Sequence, residues 1–453
     1  MGKLKVAILG TDMGGLAAAS KLIQDFGREM VDITFFDPRI WVGGIIRTTP
    51  AGDVGPMFIH KKRHRLLSEL MKWWVTGVDN YERIYFVGDD EEMYPADESY
   101  AASSGVTGYF GPNGQKFDSA VVDAGLDELR DSYIPALVAR LRFEEYNPLQ
   151  LTPQQEKLQQ MSAAQWLNGE SLPGLEDMPL PEISPEALDS FRWMLQHDNG
   201  VALEDTNLLQ LLLMFFANGE GYWCGGSEIV KGGGSTVTYH AHKKLVEEGV
   251  KFKLGCRAHL RDADQPVLYF EDGSSEEFDF VIVATPPSVH DKCIFDPDFQ
   301  MGKALFWNIR LKPDFAKTIT DWDGYSPVGE RWQNMLCRDT LVFFAGGPGY
   351  DGASSAPPLA ELEKEVPGIT ENVISCDTID WVKEPTTKGA FSFLKPGKFG
   401  AITRALKRAA DQKRVLVVGE WVSDEVGYPG AAARVAFWVV DKVKGTMQAI
   451  IGS

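Results

Sequence analysis

The sequence predicts an α/β fold with two domains, for two reasons. Short, continuously apolar stretches typical of buried strands alternate with longer stretches that have the apolar spacing of helices. In addition, 453 residues are too many for one ordinary hydrophobic core, and a hydrophobic content of 44% is typical of a soluble globular protein. The order of the elements then indicates what the first domain binds.

The first element is a strand over residues 6–9, followed by a glycine-bearing turn and a helix over residues 14–26. A second strand covers residues 32–36 and leads into Asp37. A strand, a glycine turn, a helix and a second strand ending in an acid are the pattern of a Rossmann-type dinucleotide-binding unit. We therefore predict that this unit binds a dinucleotide, with Asp37 accepting hydrogen bonds from a ribose.

The glycine turn departs from the usual fingerprint at its second position, because the three positions are Gly10, Asp12 and Gly15. The second glycine normally lets the pyrophosphate approach the backbone. A carboxylate at Asp12 would lie beside this anion, and two unit charges about 4 Å apart repel by about 4 kcal/mol at an effective dielectric near 20. That repulsion could remove roughly two or three orders of magnitude of affinity, unless Asp12 turns away or pairs with a cation such as Arg47.

The remaining elements are predicted from apolar spacing and from proline and glycine punctuation. Pro135 should kink or divide the helical stretch at 118–141, because proline disrupts a helix interior. In chain order these elements are a helical stretch at 118–141, helices with proline-marked loops at 148–205, an apolar helix at 208–217, strands at 250–254, 267–270 and 278–284, a strand at 415–418 and a final helix at 430–443.

The strands of dinucleotide-binding type fall in three separated parts of the chain. We therefore predict a dinucleotide-binding domain assembled from residues 1–85, 225–300 and 405–453. Residues 86–224 and 301–404 would then form a mixed α+β substrate domain.

Composition excludes several classes of protein. A formal net charge of −19 argues against binding to nucleic acid or anionic membrane. The apolar stretch at 208–217 is shorter than the roughly 18 to 20 residues that span a bilayer. The five cysteines are scattered, without a CxxC pair, and fit a reduced cytosol better than disulfides or a zinc site. We expect a cytoplasmic protein with no membrane span and no metal, and the oligomeric state stays open, with a homodimer as one alternative.

Several segments are more specific than the glycine turn, and together they resemble the flavin amine oxidase superfamily, which includes monoamine oxidases, L-amino-acid oxidases and protoporphyrinogen oxidases. The resemblance covers about half of the chain, and residues 86–224 carry almost none of it. The segments are Gly43-Gly44-Ile45-Ile46-Arg47-Thr48, Asp53-Val54-Gly55-Pro56-Met57-Phe58-Ile59-His60, Ile229-Val230-Lys231-Gly232-Gly233, Cys256-Arg257-Ala258, the strand ending in Pro286-Pro287, residues 381–397, Gly419-Glu420 and Gly427-Tyr428.

The resemblance implies a Rossmann-type FAD-binding domain, a substrate domain and FAD as the cofactor. Phe391 and Tyr428 would form an aromatic cage that faces the flavin, although core packing is the alternative for each ring. Lys303 is a weaker candidate, because the spacing of the family's flavin-contacting lysine falls on Phe306. The cofactor-binding positions would be Gly10, Asp12, Gly15, Asp37, Gly44, Arg47, Gly55, Pro56, Met57, Ala258 and Glu420.

Three residues depart from a working amine oxidase, namely Asp12, Ile45 in place of a common arginine, and Phe306. The leading interpretation is an FAD-dependent oxidoreductase that transfers a hydride from a small amine or amino-acid-like substrate to flavin, with oxygen as the acceptor. One alternative is a flavin-free descendant that keeps the fold for ligand binding, partner interaction or non-redox chemistry. The other is a desaturase or protoporphyrinogen-oxidase-like enzyme, in which residues 208–216 line a long hydrophobic pocket.

Overall fold

The structure is a computed structural model. The structure contains a five-stranded parallel sheet, a second, antiparallel sheet of four strands, and a set of helices. The residues it describes are 2–56, 58–60, 63–76, 82–85, 108–111, 115–143, 146–218, 227–289, 297–319, 323–324, 333–337, 339–351, 353–423 and 425–452.

The described strands are mostly short and are numbered in chain order. They are β1 Leu4–Leu9, β2 Val31–Asp37, β3 Thr48–Thr49, β4 Gly52–Asp53, β5 Phe58–His60, β6 Tyr109–Phe110, β7 Ser227–Ile229, β8 Lys251–Leu254, β9 Ala258–Leu260, β10 Val267–Phe270, β11 Ser275–Glu277, β12 Phe280–Val283, β13 Gln300–Met301, β14 Ala304–Leu311, β15 Asp323–Gly324, β16 Gln333–Cys337, β17 Thr340–Gly346, β18 Val373–Asp380, β19 Ser392–Phe393 and β20 Val415–Val417.

The described helices are numbered in the same way. They are α1 Met13–Phe26, α2 Arg65–Trp74, α3 Glu82–Tyr85, α4 Ser119–Asp127, α5 Ile134–Leu141, α6 Pro153–Leu158, α7 Ala163–Leu167, α8 Pro185–Asn199, α9 Leu208–Asn218, α10 Ser235–Glu247, α11 Pro313–Ala316, α12 Leu359–Glu365, α13 Ile369–Asn372, α14 Gly400–Ala410 and α15 Pro429–Gly452. A π-helical segment covers Glu128–Tyr133, and 3₁₀ turns cover Pro287–Val289, Gly347–Tyr350 and Glu420–Val422.

The central sheet has the strand order β20-β12-β1-β2-β8, and every neighbouring pair is parallel. Its inner strand β12 is apolar along its whole length and β1 at every position but Lys5, because both faces of a parallel sheet are covered. The strands come from three separated parts of the chain. The predicted fold class, a Rossmann-type domain assembled from three segments, is therefore confirmed, while the predicted domain boundaries stay a prediction.

Helix α1 packs on one face of this sheet and against α15. Its alanine-rich start favours a helix and allows close packing, and ten of its residues are buried. The helix begins after Asp12, whose side chain caps it, and ends at Gly27, which has a φ of 76°. A Cβ on Gly15 would lie 2.6 Å from the Gly10 carbonyl oxygen, so this turn requires glycine. These contacts fix the start of α1 at the carboxyl end of β1.

A second, antiparallel sheet has the order β16-β17-β14-β18. Its central strand β14 is buried at seven of eight positions, including Trp307, which is fully buried. Phe306 on the same strand stacks on Phe344, with ring centroids 5.2 Å apart. Phe306 is thus a core residue of this sheet, as one expects for a large apolar side chain on a buried strand.

One sequence prediction about helices is confirmed and another needs correction. The helical stretch at 118–141 is divided close to Pro135, as predicted: a π-helical segment covers residues 128–133, and Pro135 lies in the first turn of α5, where proline is tolerated. The final helix continues to Gly452 rather than ending at Val443, because Met447 and Ile451 extend its buried face at four-residue spacing. No helix in the described ranges is long and apolar enough to cross a membrane.

Candidate functional site

A cavity of about 560 Å³ opens at the carboxyl ends of β1, β12 and β20. Parallel α/β sheets commonly bind their ligands at this edge. The cavity lies between the start of α1 and the start of α15. Its lining residues are Asp12, Met13, Arg39, Gly43, Gly44, Ile45, Ile46, Pro56, Pro286, Met301, Thr387, Ala390, Glu420, Trp421, Gly427, Tyr428, Pro429 and Ala432.

Asp12 lines this cavity and caps α1. Its carboxyl oxygen accepts a hydrogen bond from the Gly15 N–H at 3.0 Å. Burial raises the pKa of Asp12 to about 7, and the Gly15 N–H and the charge of Arg39 oppose this effect only in part. Near neutral pH the side chain can therefore be uncharged, which weakens the repulsion expected from the sequence.

Arg39, and not Arg47, is the cation whose charge acts on Asp12. The Arg47 guanidinium lies over the Trp41 ring, 5.0 Å from its centroid. The charge of Arg39, by contrast, acts directly on Asp12. The alternative in which Asp12 pairs with Arg47 is therefore corrected to an arrangement in which Arg39 is the neighbouring cation.

Asp37 is fully buried and is saturated by donors of the protein itself. Its carboxylate accepts hydrogen bonds from the Thr11 N–H and hydroxyl, both at 2.8 Å, and from the Arg39 N–H, Nε and Nη2, all at 2.9 Å. Burial alone would raise the pKa of Asp37, but these donors outweigh it and hold the pKa below its usual range. Asp37 therefore orients Arg39 and Thr11 and does not itself line the cavity.

Arg39 was not among the residues predicted from the sequence. Its side chain is 4% exposed, and Nε and Nη2 bind Asp37 as a fork. The remaining nitrogen, Nη1, lies 3.7 Å from the position that a Cβ on Gly44 would take, beside Asp12. The guanidinium thus presents a fixed positive charge to the cavity, as a phosphate site requires. The Asp-X-Arg spacing after β2 was the available signal.

The glycines of the two predicted motifs allow a close approach of backbone segments. Gly44 has a φ of +67°, and a Cβ there would lie 2.8 Å from the Cβ of Asp12. A Cβ on Gly55 would lie 1.8 Å from the carbonyl oxygen of Ile45, which itself lines the cavity. The glycines therefore bring the segment after β2 against the start of α1, and the segment after β4 against the segment after β2.

Glu420 follows β20 and connects three parts of the site. Its Oε2 accepts hydrogen bonds from the Ser392 hydroxyl at 3.1 Å and the Gly427 N–H at 3.0 Å. Burial raises the pKa of Glu420 to about 7, against the opposing effect of these donors. Glu420, which the sequence predicted as a cofactor-binding residue, thus lines the cavity and holds together the segments that carry Phe391 and Tyr428.

The two predicted cage residues lie on neighbouring segments. Tyr428 lines the cavity, and the Phe391 ring lies 3.5 Å from the position that a Cβ on Gly427 would take. His64 packs beside Tyr428, with ring centroids 5.5 Å apart, and its Nε2 is 2.9 Å from the buried Glu425 carboxylate. His64 was not predicted as a site residue, because nothing in its sequence neighbourhood distinguishes it from other helix starts.

Of the other predicted residues, some line the cavity and some do not. Pro56 lines it, while Ala258 begins β9 and is not a lining residue. The Lys303 amine pairs with Asp351 at 2.7 Å on the protein surface, with 47% of its side chain exposed. Met57 lies outside the described residues.

Thr387 is a further lining residue that sequence reasoning missed. It is fully buried, and its hydroxyl has no hydrogen-bond partner in the described part of the chain. A buried hydroxyl without a partner costs free energy, so its position at the cavity wall indicates a polar ligand atom nearby. The residues present therefore fit a phosphate-bearing dinucleotide: Arg39 is a fixed cation, Asp12 can be neutral, and Thr387 offers an unused donor.

Replacing Thr387 with valine tests this fit. The hydroxyl should bond to the cofactor, so Thr387→Val is expected to weaken FAD binding about fivefold to tenfold. The apoprotein should unfold at the same or a higher denaturant concentration, since the variant loses a buried group that has no protein partner. Calorimetric titration with FAD and urea unfolding measure the two effects. Unchanged FAD affinity would contradict this role for Thr387.

A second cavity of about 260 Å³ lies beside the first. The two are joined by the hydrogen bond between Ser392, which lines the second, and Glu420, which lines the first. Helix α9 contributes Leu211 and Met214, so the predicted apolar helix does line a pocket. The described lining residues are Asn199, Val201, Thr206, Gln210, Leu211, Met214, Ser392, Phe393 and Val426.

His240 and His242, two residues apart on α10, both contact aromatic rings. His240 packs against Tyr85 and His242 against Phe252, and burial lowers the pKa of both imidazoles. Among the described residues, no group of three or more His, Cys, Asp or Glu side chains has an arrangement that could hold a metal ion.

A parallel sheet assembled from three segments, with a cavity at its carboxyl edge and a second domain beside it, defines the class of two-domain dinucleotide-binding proteins. The family comparison is more specific. The chain belongs to the flavin containing amine oxidoreductase family, whose model matches residues 13–310. This confirms the resemblance noted in the sequence and identifies the protein as a flavin-dependent oxidoreductase.

Solved structures of two amine oxidases share the fold. A wild-type putrescine oxidase bound to putrescine is 19% identical with a TM-score of 0.69, and the match covers 100% of this chain and 99% of that one. Cyclohexylamine oxidase from Brevibacterium oxydans IH-35A is 16% identical with a TM-score of 0.69, covering 99% and 100%. No curated protein matches the chain. At these identities the solved structures support the fold alone.

Proposed function

We propose that the protein binds FAD in the first cavity and oxidises a small organic amine in the second, with oxygen as the electron acceptor. The observation that carries the proposal is the pair of adjoining cavities, joined through Ser392 and Glu420 at the carboxyl edge of the sheet. Bound flavin would accept a hydride from the carbon that bears the amine nitrogen.

The first cavity would bind the phosphates of FAD. The fixed charge of Arg39 and the start of α1 both attract anions. Asp12 is compatible with them in its neutral form, which its pKa of about 7 makes accessible. Thr387 would donate to an acceptor atom of the cofactor, because its buried hydroxyl has no partner in the described part of the chain.

The second cavity would bind the amine in its uncharged form. None of its described lining residues is charged, and most are apolar, so an ammonium ion would lose its hydration without gaining a counterion. Tyr428, which lines the first cavity, and Phe391, which packs beside Gly427, would flank the amine where the two cavities meet and exclude water there.

The cage variants test this function. Tyr428→Leu and Phe391→Leu should each lower amine-dependent oxygen consumption per bound FAD about tenfold or more, because the rings orient the amine. Phe391→Leu should also keep its FAD content, since Phe391 lines neither cavity, whereas Tyr428 lines the first. Rates with a panel of primary amines and the FAD content of each variant are the measurements. Tyr239→Leu is the control, since Tyr239 is 60% exposed on α10. Wild-type protein that contains FAD but oxidises no amine would overturn the proposal.

A further inference from the structure

The second cavity contains a buried side-chain donor that has no acceptor. Gln210 on α9 is 6% exposed and lines this cavity. Its Oε1 accepts a hydrogen bond from the Leu394 N–H at 3.0 Å, so this bond fixes which end of the amide is oxygen. The other end, Nε2, has no hydrogen-bond partner among the residues that the structure describes. Both N–H groups of this buried nitrogen therefore lack an acceptor in the described part of the chain.

The other polar side chains of the cavity use their donors within the protein. The Thr206 hydroxyl donates to the Ala202 carbonyl at 3.0 Å, and the Ser392 hydroxyl donates to Glu420. The Asn199 Nδ2 donates to a carbonyl of its own helix at 2.7 Å. Gln210 thus differs from its neighbours, because a buried amide nitrogen without an acceptor loses its bonds to water and gains none in return.

We propose that Gln210 determines substrate specificity by donating a hydrogen bond to an uncharged acceptor atom of the substrate. The substrate class is then a small amine that carries an ether, hydroxyl or carbonyl oxygen at the end remote from the nitrogen. This inference rests on the proposed function, since it places the amine in the second cavity. A carboxylate is disfavoured, because no described lining residue would neutralise it.

The test compares amines that differ by one acceptor atom. The probes are ω-methoxyalkylamines with two to four methylenes and the n-alkylamines with the same number of heavy atoms. Their dissociation constants are measured by calorimetry on the holoenzyme with its flavin reduced, so that no turnover occurs. The quantity of interest is the affinity of each methoxy compound divided by that of its alkyl partner.

At the chain length that reaches Gln210, Gln210→Met should lower this ratio about tenfold relative to wild type. Gln210→Glu should lower it similarly at a pH where the new carboxyl is ionised, because the carboxylate keeps an acceptor for the Leu394 N–H but has no donor. The control is Gln154→Met, since the Gln154 amide donates to the Pro173 carbonyl outside both cavities, and its ratio should equal that of wild type.

The two hypotheses fail in different ways. Ratios that are the same in wild type and in both Gln210 variants at every chain length would overturn the role of Gln210 and leave the amine oxidase proposal intact. Wild-type holoenzyme that binds none of the amines would overturn the placement of substrate in the second cavity, and the inference with it. A ratio that falls only in the Gln210 variants supports the inference.

Discussion

Asp12→Asn should bind FAD about tenfold more tightly than wild type at pH 8, and within about twofold of wild type at pH 6. The expectation follows from the pKa of about 7 that burial gives Asp12. If FAD binds only the protein in which Asp12 is neutral, the apparent FAD affinity is proportional to the neutral fraction of Asp12. This neutral fraction is about nine-tenths at pH 6 and about one-tenth at pH 8, so the FAD affinity falls as pH rises through 7.

Because other ionisable groups lie near Asp12, the FAD affinity of wild type must be compared with that of Asp12→Asn at each pH. Asp37 stays ionised over this range, because its hydrogen bonds to Arg39 and Thr11 hold its pKa below its usual range. Glu420 also has a pKa raised to about 7 and would add its own pH dependence. Because wild type and Asp12→Asn both contain Glu420, the difference between their FAD affinities isolates Asp12. Calorimetric titrations at the two pH values provide the measurement.

The substitution is conservative for the helix, since asparagine caps a helix start as well as aspartate does. Asp118→Asn is the matched control, because Asp118 caps α4 through the Ala120 N–H and is exposed away from both cavities. This control should leave FAD affinity unchanged at both pH values. Equal FAD affinity of wild type and Asp12→Asn at pH 8 would show that Asp12 does not oppose the cofactor's phosphates.

Arg39→Met should lower the free energy of unfolding of the apoprotein by about 3–5 kcal/mol. The variant leaves the Asp37 carboxylate fully buried without its counterion, which is the costly way to break a buried ion pair. It should also weaken FAD binding strongly, because Arg39 is the fixed cation at the cavity. Urea unfolding without FAD and titration with FAD separate the two effects.

Arg65→Met is the control for this prediction. Arg65 pairs with Glu69 at 3.0 Å, but 84% and 58% of the two side chains are exposed, so the pair contributes little. Its loss should change the free energy of unfolding by no more than about 0.5 kcal/mol and leave FAD binding unchanged. If Arg39→Met costs less than about 1 kcal/mol, Asp37 is not held by Arg39 in the way described.

The parts of the fold that could be predicted are those with a local signal. The strands around Asp37 and Val283 are apolar runs bounded by turns, and their order defines the parallel sheet. Strand β14 was not predicted, because a run of eight mostly apolar residues fits a buried strand and a helix segment alike. The extension of α15 to Gly452 was missed because its buried residues become sparse after Val443.

The site was predictable where it depends on motifs and unpredictable where it depends on tertiary partners. Sequence placed Asp12 and Glu420 near the cofactor, and both line the first cavity. Sequence could not show that Arg39 folds back onto Asp37, because that contact depends on the path of the chain after β2. Gln210 lies within an apolar helix, and only the bond between its oxygen and Leu394 shows that its nitrogen is left without a partner.

The central claim is that this member of the flavin containing amine oxidoreductase family binds FAD although Asp12 stands at the phosphate site. The most direct measurement is the absorbance spectrum of purified protein after incubation with FAD at pH 6 and removal of free cofactor. We expect flavin absorbance to stay with the protein, and denaturation to release FAD. Protein that stays colourless under these conditions, where Asp12 is mostly neutral, would contradict the account and favour a flavin-free descendant.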